Sequence, residues 1–209
     1  MFIGFPVENN IEMDADEQLK NGLKEIWAKS ADWDESPTSE NGIFIVKYPS
    51  TNINQAFIGI KIKKPQNINK GYFLKSQKEL QLYRDLLNCN EWDVIFEQIK
   101  TDLQLKKKIG LLDNWDQIPT LIPGLSFTKL PSDNDPSGIP IIAINPVNEF
   151  GKKMKKKNLF IMNREDLETC RDLFNNAKLD RLSRILDVVN DELSLEMRVA
   201  QSKIRGKYR

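Results

Sequence analysis

Ile43-Phe44-Ile45-Val46-Lys47-Tyr48, then Gln55 to Lys64 beyond Pro49, then Ser76-Gln77-Lys78-Glu79-Leu80-Gln81-Leu82-Tyr83-Arg84-Asp85-Leu86-Leu87 is the run that decides the fold. Its first two segments are rich in Ile, Val and Phe and are separated by a proline turn, which predicts a pair of strands. In the second, Ala56, Ile58, Ile60 and Ile62 alternate with Phe57, Gly59, Lys61 and Lys63, so one face belongs to a core and the other tends to be basic. The third segment opens with Ser76 three positions before Glu79, the spacing of a capping box, and carries an apolar stripe of Leu80, Tyr83 and Leu87 that stops at Asn88 to Asn90. Strands followed by a capped amphipathic helix predict an α+β protein, with a mixed or antiparallel sheet of about five strands against long helices and room for two lobes.

The same reading extends outward. Met1 to Val7 suggests a first strand, and Leu19, Leu23, Ile26 and Trp27 predict a helix over about 15–30 with a cap at Asp14 and Glu17. Asp32 to Gly42 mixes acids with Ser, Pro and Gly and reads as a loop. Asn90 with Asp93 opens a helix whose stripe is Trp92, Ile95, Phe96, Ile99 and Leu103. Pro119, Pro123, Pro131, Pro136, Pro140 and Pro146 crowd one stretch, which therefore reads as loop with short edge strands. Ile139 to Asn145 and Asn158 to Met162 are strand candidates. Asn163 with Asp166 caps a helix carrying Leu167, Cys170, Leu173, Phe174 and Ala177, and a last long helix carries Leu182, Ile185, Leu186, Val189 and Leu193. The organisation expected is an N-terminal portion over 1–118, a Pro-rich connection over 119–146 and a C-terminal portion over 147–209, compatible with one domain. No internal repeat is read from the sequence.

At 209 residues, 40% hydrophobic and 29% charged, the chain can bury a core without disulfide or metal staples. Cys89 and Cys170 stand far apart with no CxxC or zinc spacing, which fits a reducing, cytoplasmic setting. The most apolar stretches fall far short of the roughly 20 residues that cross a bilayer as a helix, so no membrane partner is expected. The absence of histidine removes Ser-His-Asp and Cys-His arrangements and His-ligated metals, and isolated glycines leave no Walker A or dinucleotide loop. No Glu or Asp stands two before Lys on a strand, which disfavours a metal-dependent nuclease of the familiar kind. Asp133-Asn134-Asp135-Pro136-Ser137-Gly138 begins like a calcium loop, but Ile144 occupies the position of the bidentate carboxylate, so it reads as a turn. No catalytic residue, cofactor or metal is expected.

Charge supplies the remaining signal. The net charge of +1 hides ten acidic residues against three lysines over 1–40 and an excess of basic residues in the rest of the chain. Lys61 and Lys63, Lys106, Lys107 and Lys108, then Lys152, Lys153, Lys155, Lys156 and Lys157, and finally Lys203, Arg205, Lys207 and Arg209 are the candidates for neutralising a phosphate backbone. Trp27, Trp92 and Phe174 fall on apolar stripes and read as core. Trp33 and Trp115 lie in polar surroundings, where an exposed indole suits a protein interface. The expected function is a non-catalytic accessory or assembly subunit with protein partners, touching RNA or DNA through basic segments. The alternatives are a protein-only binder of the inhibitor or immunity type and a nuclease without a standard motif.

Overall fold

The computed structural model describes residues 14–49, 56–63, 72–132, 138–155 and 157–206. Within them the chain is an α+β protein built of two four-stranded antiparallel sheets rather than one sheet of about five strands. Helix α1 (Ala15–Lys29) leads into β1 (Glu35–Pro37), β2 (Ile43–Lys47), β3 (Ile58–Ile62) and β4 (Tyr72–Leu74), which pair in chain order, and then α2 (Gln77–Leu87) and α3 (Trp92–Thr101). Helix α4 (Leu103–Gly110) leads into β5 (Gln117–Pro119), β6 (Leu125–Leu130), β7 (Ile139–Ile144) and β8 (Leu159–Ile161), again paired in order, and then α5 (Arg164–Phe174) and α6 (Ala177–Gly206).

The second series repeats the first, which corrects the reading that the chain has no internal repeat. Trp33-Asp34, Pro37-Thr38, Gly42 and Lys47 recur 82 positions later as Trp115-Asp116, Pro119-Thr120, Gly124 and Lys129. The geometry recurs with them. Trp33 and Trp115 both take positive φ, 70° and 74°, a conformation uncommon for a bulky residue, and their N–H groups donate to the Lys47 and Lys129 carbonyls at 2.7 and 2.8 Å. Thr38 and Thr120 hydroxyls close the following turns onto the Ile43 and Leu125 carbonyls. Gly42 and Gly124 take φ of 81° and 96°, which only glycine adopts freely. Lys47 Nζ donates to the Ser30 carbonyl just past α1, and Lys129 Nζ to the Gly110 and Leu112 carbonyls at the end of α4, so each caps the helix that precedes its sheet. Ladder registers agree as well, since Ile43 faces Ile62 and Leu125 faces Ile144. The β7–β8 connection is five residues longer, so β4 and α2 map onto β8 and α5 at an offset of 87.

A pseudo-two-fold axis relates the halves where α2 meets α5. Arg84 Nε donates to the Phe174 carbonyl at 2.7 Å and Arg171 Nε to the Leu87 carbonyl at 2.8 Å. Asn88 and Asn175 exchange side-chain hydrogen bonds at 3.0 and 3.1 Å. Contacts in which i meets j and the copy of j meets the copy of i are what such an axis requires. Ile43, Ile45, Ile60, Ile62 and Leu74 of the first sheet and Leu125, Phe127, Ile142, Ile144 and Ile161 of the second are buried in one cluster with Leu80, Tyr83, Leu87, Leu167, Cys170 and Phe174 from the two central helices.

The expected caps at Ser76 and Asn163 form, each side chain accepting from the N–H three residues on. The helix expected through Leu103 breaks instead at Asp102, whose carboxylate accepts from Gln104 and Leu105 N–H and starts α4, leaving Leu103 71% exposed. Residues 119–146, expected as loop with short edge strands, hold β6 and β7, the inner pair of the second sheet. Proline is tolerated because Pro119 ends the edge strand β5 and Pro140 precedes the β7–β8 ladder. The loop expected over 32–42 contains β1. The strand expected at Met1–Val7 lies outside the described residues, as do Asp133 to Ser137 of the acidic turn.

Candidate functional site

The most distinctive surface is the outer face of the first sheet. In an antiparallel ladder directly opposed residues share a face, so Pro37, Phe44, Lys61 and Phe73 form one row across all four strands, opposite in parity to the buried isoleucines. Lys61 Nζ lies 5.5 Å from the Phe73 ring centre and Lys63 Nζ 4.4 Å from that of Phe44. Both ammonium groups bind the Glu35 carboxylate, Lys63 at 2.8 Å. Their hydrogen bonds, that of Lys61 foremost, hold Glu35 below the usual carboxylate range. The inner rows of the face are covered: Val46 and Gly59 are buried, with the Tyr48 ring laid against Gly59. A Cβ on Gly59 would stand 2.5 Å from that ring and 2.8 Å from the Leu74 carbonyl oxygen, so the close approach requires glycine. Trp33 packs edge-on against Tyr48 at 5.3 Å and is 56% exposed, while Lys75 Nζ lies 5.0 Å from the Tyr48 ring centre. Burial, with a smaller contribution from Glu79, pushes the Tyr48 phenol far above its ordinary range, and among the described residues its hydroxyl has no partner.

The basic residues singled out in sequence fall on several elements. Lys61 and Lys63 meet at Glu35. Lys106, Lys107 and Lys108 are exposed on α4, where Lys106 donates to the Lys100 carbonyl at 2.6 Å. In the β7–β8 connection Lys152 and Lys157 are exposed and Lys153 binds the Gln117 side chain on β5. Lys155 turns inward to pair with Glu79 of α2 at 2.6 Å, and burial lowers its pKa against the opposing pull of Glu79. Lys155 is thus separated from the exposed Lys152 and Lys157. Lys203 is exposed on α6, Arg205 belongs to the same helix, and Lys156, Lys207 and Arg209 lie outside the described residues. Phe44, Phe73, Tyr48, Lys75 and Glu35 are not among the residues that sequence reasoning singles out. Phe44 could have been, since it shares parity with Val46 and Tyr48 and not with Ile43 and Ile45.

Among the described residues no group of three or more Cys, Asp or Glu side chains is placed to hold a metal ion, and no helix is long and apolar enough to cross a membrane. No known family, curated protein or solved structure matches the chain.

Proposed function

We propose that the protein is a non-catalytic accessory subunit of a cytoplasmic complex that contacts single-stranded nucleic acid with the outer face of its first sheet. The observation that carries this reading is the row Phe44–Lys61–Phe73 on three neighbouring strands, flanked by Lys63 and Lys75. Aromatic rings accept stacked bases whatever their sequence, at about 1–3 kcal/mol per base, while lysines follow the phosphates. Cys89 and Cys170 form no disulfide with one another, which suits the reducing compartment.

Fluorescence anisotropy with single- and double-stranded RNA and DNA across a salt series tests the reading. Single strands should bind more tightly than duplexes, and Phe44→Ala with Phe73→Ala should weaken them about tenfold or more. Cutting of the strand on addition of Mg²⁺ would favour the nuclease alternative. A second reading, the protein-only binder, draws on the half-exposed Trp33 indole and on Glu35, which offsets part of the positive charge. It predicts negligible affinity for every oligonucleotide.

A further inference from the structure

An open cleft of about 400 Å³ lies between the β1–β2 turn of the first repeat and α5 of the second, bounded by Gly42, Phe44 and Lys63 on one side and Thr169, Asp172 and Asn176 on the other. The pseudo-axis offers a control, because the same place exists a second time between Gly124 and α2. There Leu86 fills it: its Cδ1 stands 3.0 Å from where a Gly124 Cβ would be. Leu173 occupies the position of Leu86 in the first repeat, yet among the described residues the only atoms within 4 Å of a Gly42 Cβ are the Lys63 carbonyl oxygen and carbon. The lining changes in kind as well. Thr169 and Asn176 stand where the other repeat has Leu82 and Cys89, and Phe44 and Lys63 where it has Ser126 and Asn145.

We propose that this cleft takes one unstacked nucleotide, with its base against Phe44 and Leu173, its amino-bearing edge on Asp172 and its phosphate on Lys63. The proposal rests on the nucleic-acid reading above and shares Phe44 and Lys63 with that face. Asp172 is exposed and has no ion pair among the described residues, so its carboxylate is free to accept. A carboxylate offers acceptors only, and therefore favours the exocyclic amine of adenine, cytosine or guanine over uracil, whose single N3–H lies between two carbonyl oxygens that repel it. Asn176 has its Oδ1 engaged by the Lys178 N–H and one amide hydrogen directed to Glu40, which leaves a second amide hydrogen for a base acceptor. The volume lies within the range of small-ligand sites.

The test titrates the full chain with the four ribonucleoside 5′-monophosphates by calorimetry and follows amide shifts by NMR. AMP, CMP and GMP should bind roughly tenfold more tightly than UMP, the effect of one charge-assisted hydrogen bond, and Asp172→Asn should erase most of that difference. Thr169→Leu, which installs the residue of the other repeat and leaves the Asn176 cap of α6 in place, should close the cleft and abolish the shifts at Gly42 and Leu173 with an unchanged melting temperature. Equal affinities for all four nucleotides, indifferent to Asp172→Asn, would overturn the proposal. If the closed variant still binds oligonucleotides as the wild type does, the cleft fails and the sheet face stands. If mononucleotides bind with the expected preference while oligonucleotides do not bind, the cleft stands and the sheet face fails.

Discussion

The two sheets share their turns and differ on their outer faces. Trp, Asp, Pro, Thr, Gly and Lys recur at matching positions because each shapes the backbone there, as a positive-φ corner, a closed turn or a helix cap. On the outer face the correspondence is partial, with Pro37 and Phe73 matched by Pro119 and Phe160. Glu35, Phe44, Lys61 and Lys63 of the first sheet stand where the second has Gln117, Ser126, Ala143 and Asn145, and Tyr48 over Gly59 stands where the second has Leu130 and Ile141. Framework residues are thus common to both copies, while Phe44, Lys61 and Lys63 belong to the first sheet. That division is the reason for placing the proposed function on the first sheet.

The largest difference in stabilisation concerns β3 and β7. Asn190 of α6 accepts from the Phe57 and Ile58 N–H groups at 3.0 Å and returns a hydrogen bond to the Ile58 carbonyl. In the second sheet the position of Ile58 is Pro140, which has no N–H to satisfy, and the position of Asn190 is Leu103, which is exposed. Asn190→Ala should therefore cost about 3 kcal/mol by stranding two amides, a drop of roughly 10 °C in Tm, while Leu103→Ala should stay within about 0.5 kcal/mol. A loss below about 1 kcal/mol for Asn190→Ala would break the comparison. Gly59→Ala should cost about 2 kcal/mol through overlap with Tyr48 and Leu74, and Tyr48→Leu added to it should recover part of the loss.

At the pseudo-axis the two arginines are equal in their main-chain bonds and unequal beyond them. Arg84 also binds Asp180, whereas the counterpart of that carboxylate, Asp93, pairs with the exposed Arg164 and Arg171 pairs instead with the more exposed Glu168 at 2.7 Å. Chemical denaturation should find Arg84→Ala about 1 kcal/mol more destabilising than Arg171→Ala. Near-identical losses would show that the Asp180 pair adds no more than the Glu168 pair does.

The smallest effect sharpens the functional half of the contrast. Glu35→Gln installs the residue of the second sheet and releases Lys61 and Lys63, so affinity for single strands should rise about threefold with a steeper salt slope. Because the folded-state pKa of Glu35 is depressed, its ion pairs stabilise the native state above its ordinary value of 4.5, and that contribution is lost as pH falls through the folded value. Melting curves between pH 7 and 3 should accordingly show a shallower acid dependence in Glu35→Gln than in the wild type.

Much of the framework was legible in the sequence. Helix starts at Ser76 and Asn163 and the strands around Ile45, Ile60, Ile142 and Phe160 follow from local periodicity and capping. β1 and β5 escaped because Glu35-Ser36-Pro37 and Gln117-Ile118-Pro119 read as turn, β4 because its three residues run straight into the capped helix, and β6 because the prolines around it outweighed its own pattern of Leu125, Phe127 and Lys129. The repeat was hidden for a physical reason: its core positions exchange Ile for Leu or Phe freely, while the residues it shares are turn residues scattered between them. The basic side of β3 was legible from alternation at Lys61 and Lys63. Its aromatic neighbours were not, since Phe44 and Phe73 meet Lys61 only through ladder pairing between strands distant in sequence. In the lysine-rich β7–β8 connection nothing local shows that Lys155 turns inward to Glu79.

One variant tests the central claim directly. Phe44→Ser, Lys61→Ala and Lys63→Asn together give the first sheet the outer-face residues that the second carries at matching positions, on a framework the two already share. Anisotropy titration of this variant and the wild type with single-stranded RNA and DNA, beside their melting curves, gives the decisive pair of measurements. The variant should fold, and its affinity should fall at least about a hundredfold, as expected for losing a stacking ring and two phosphate contacts. A folded variant that binds as tightly as the wild type would contradict the central claim.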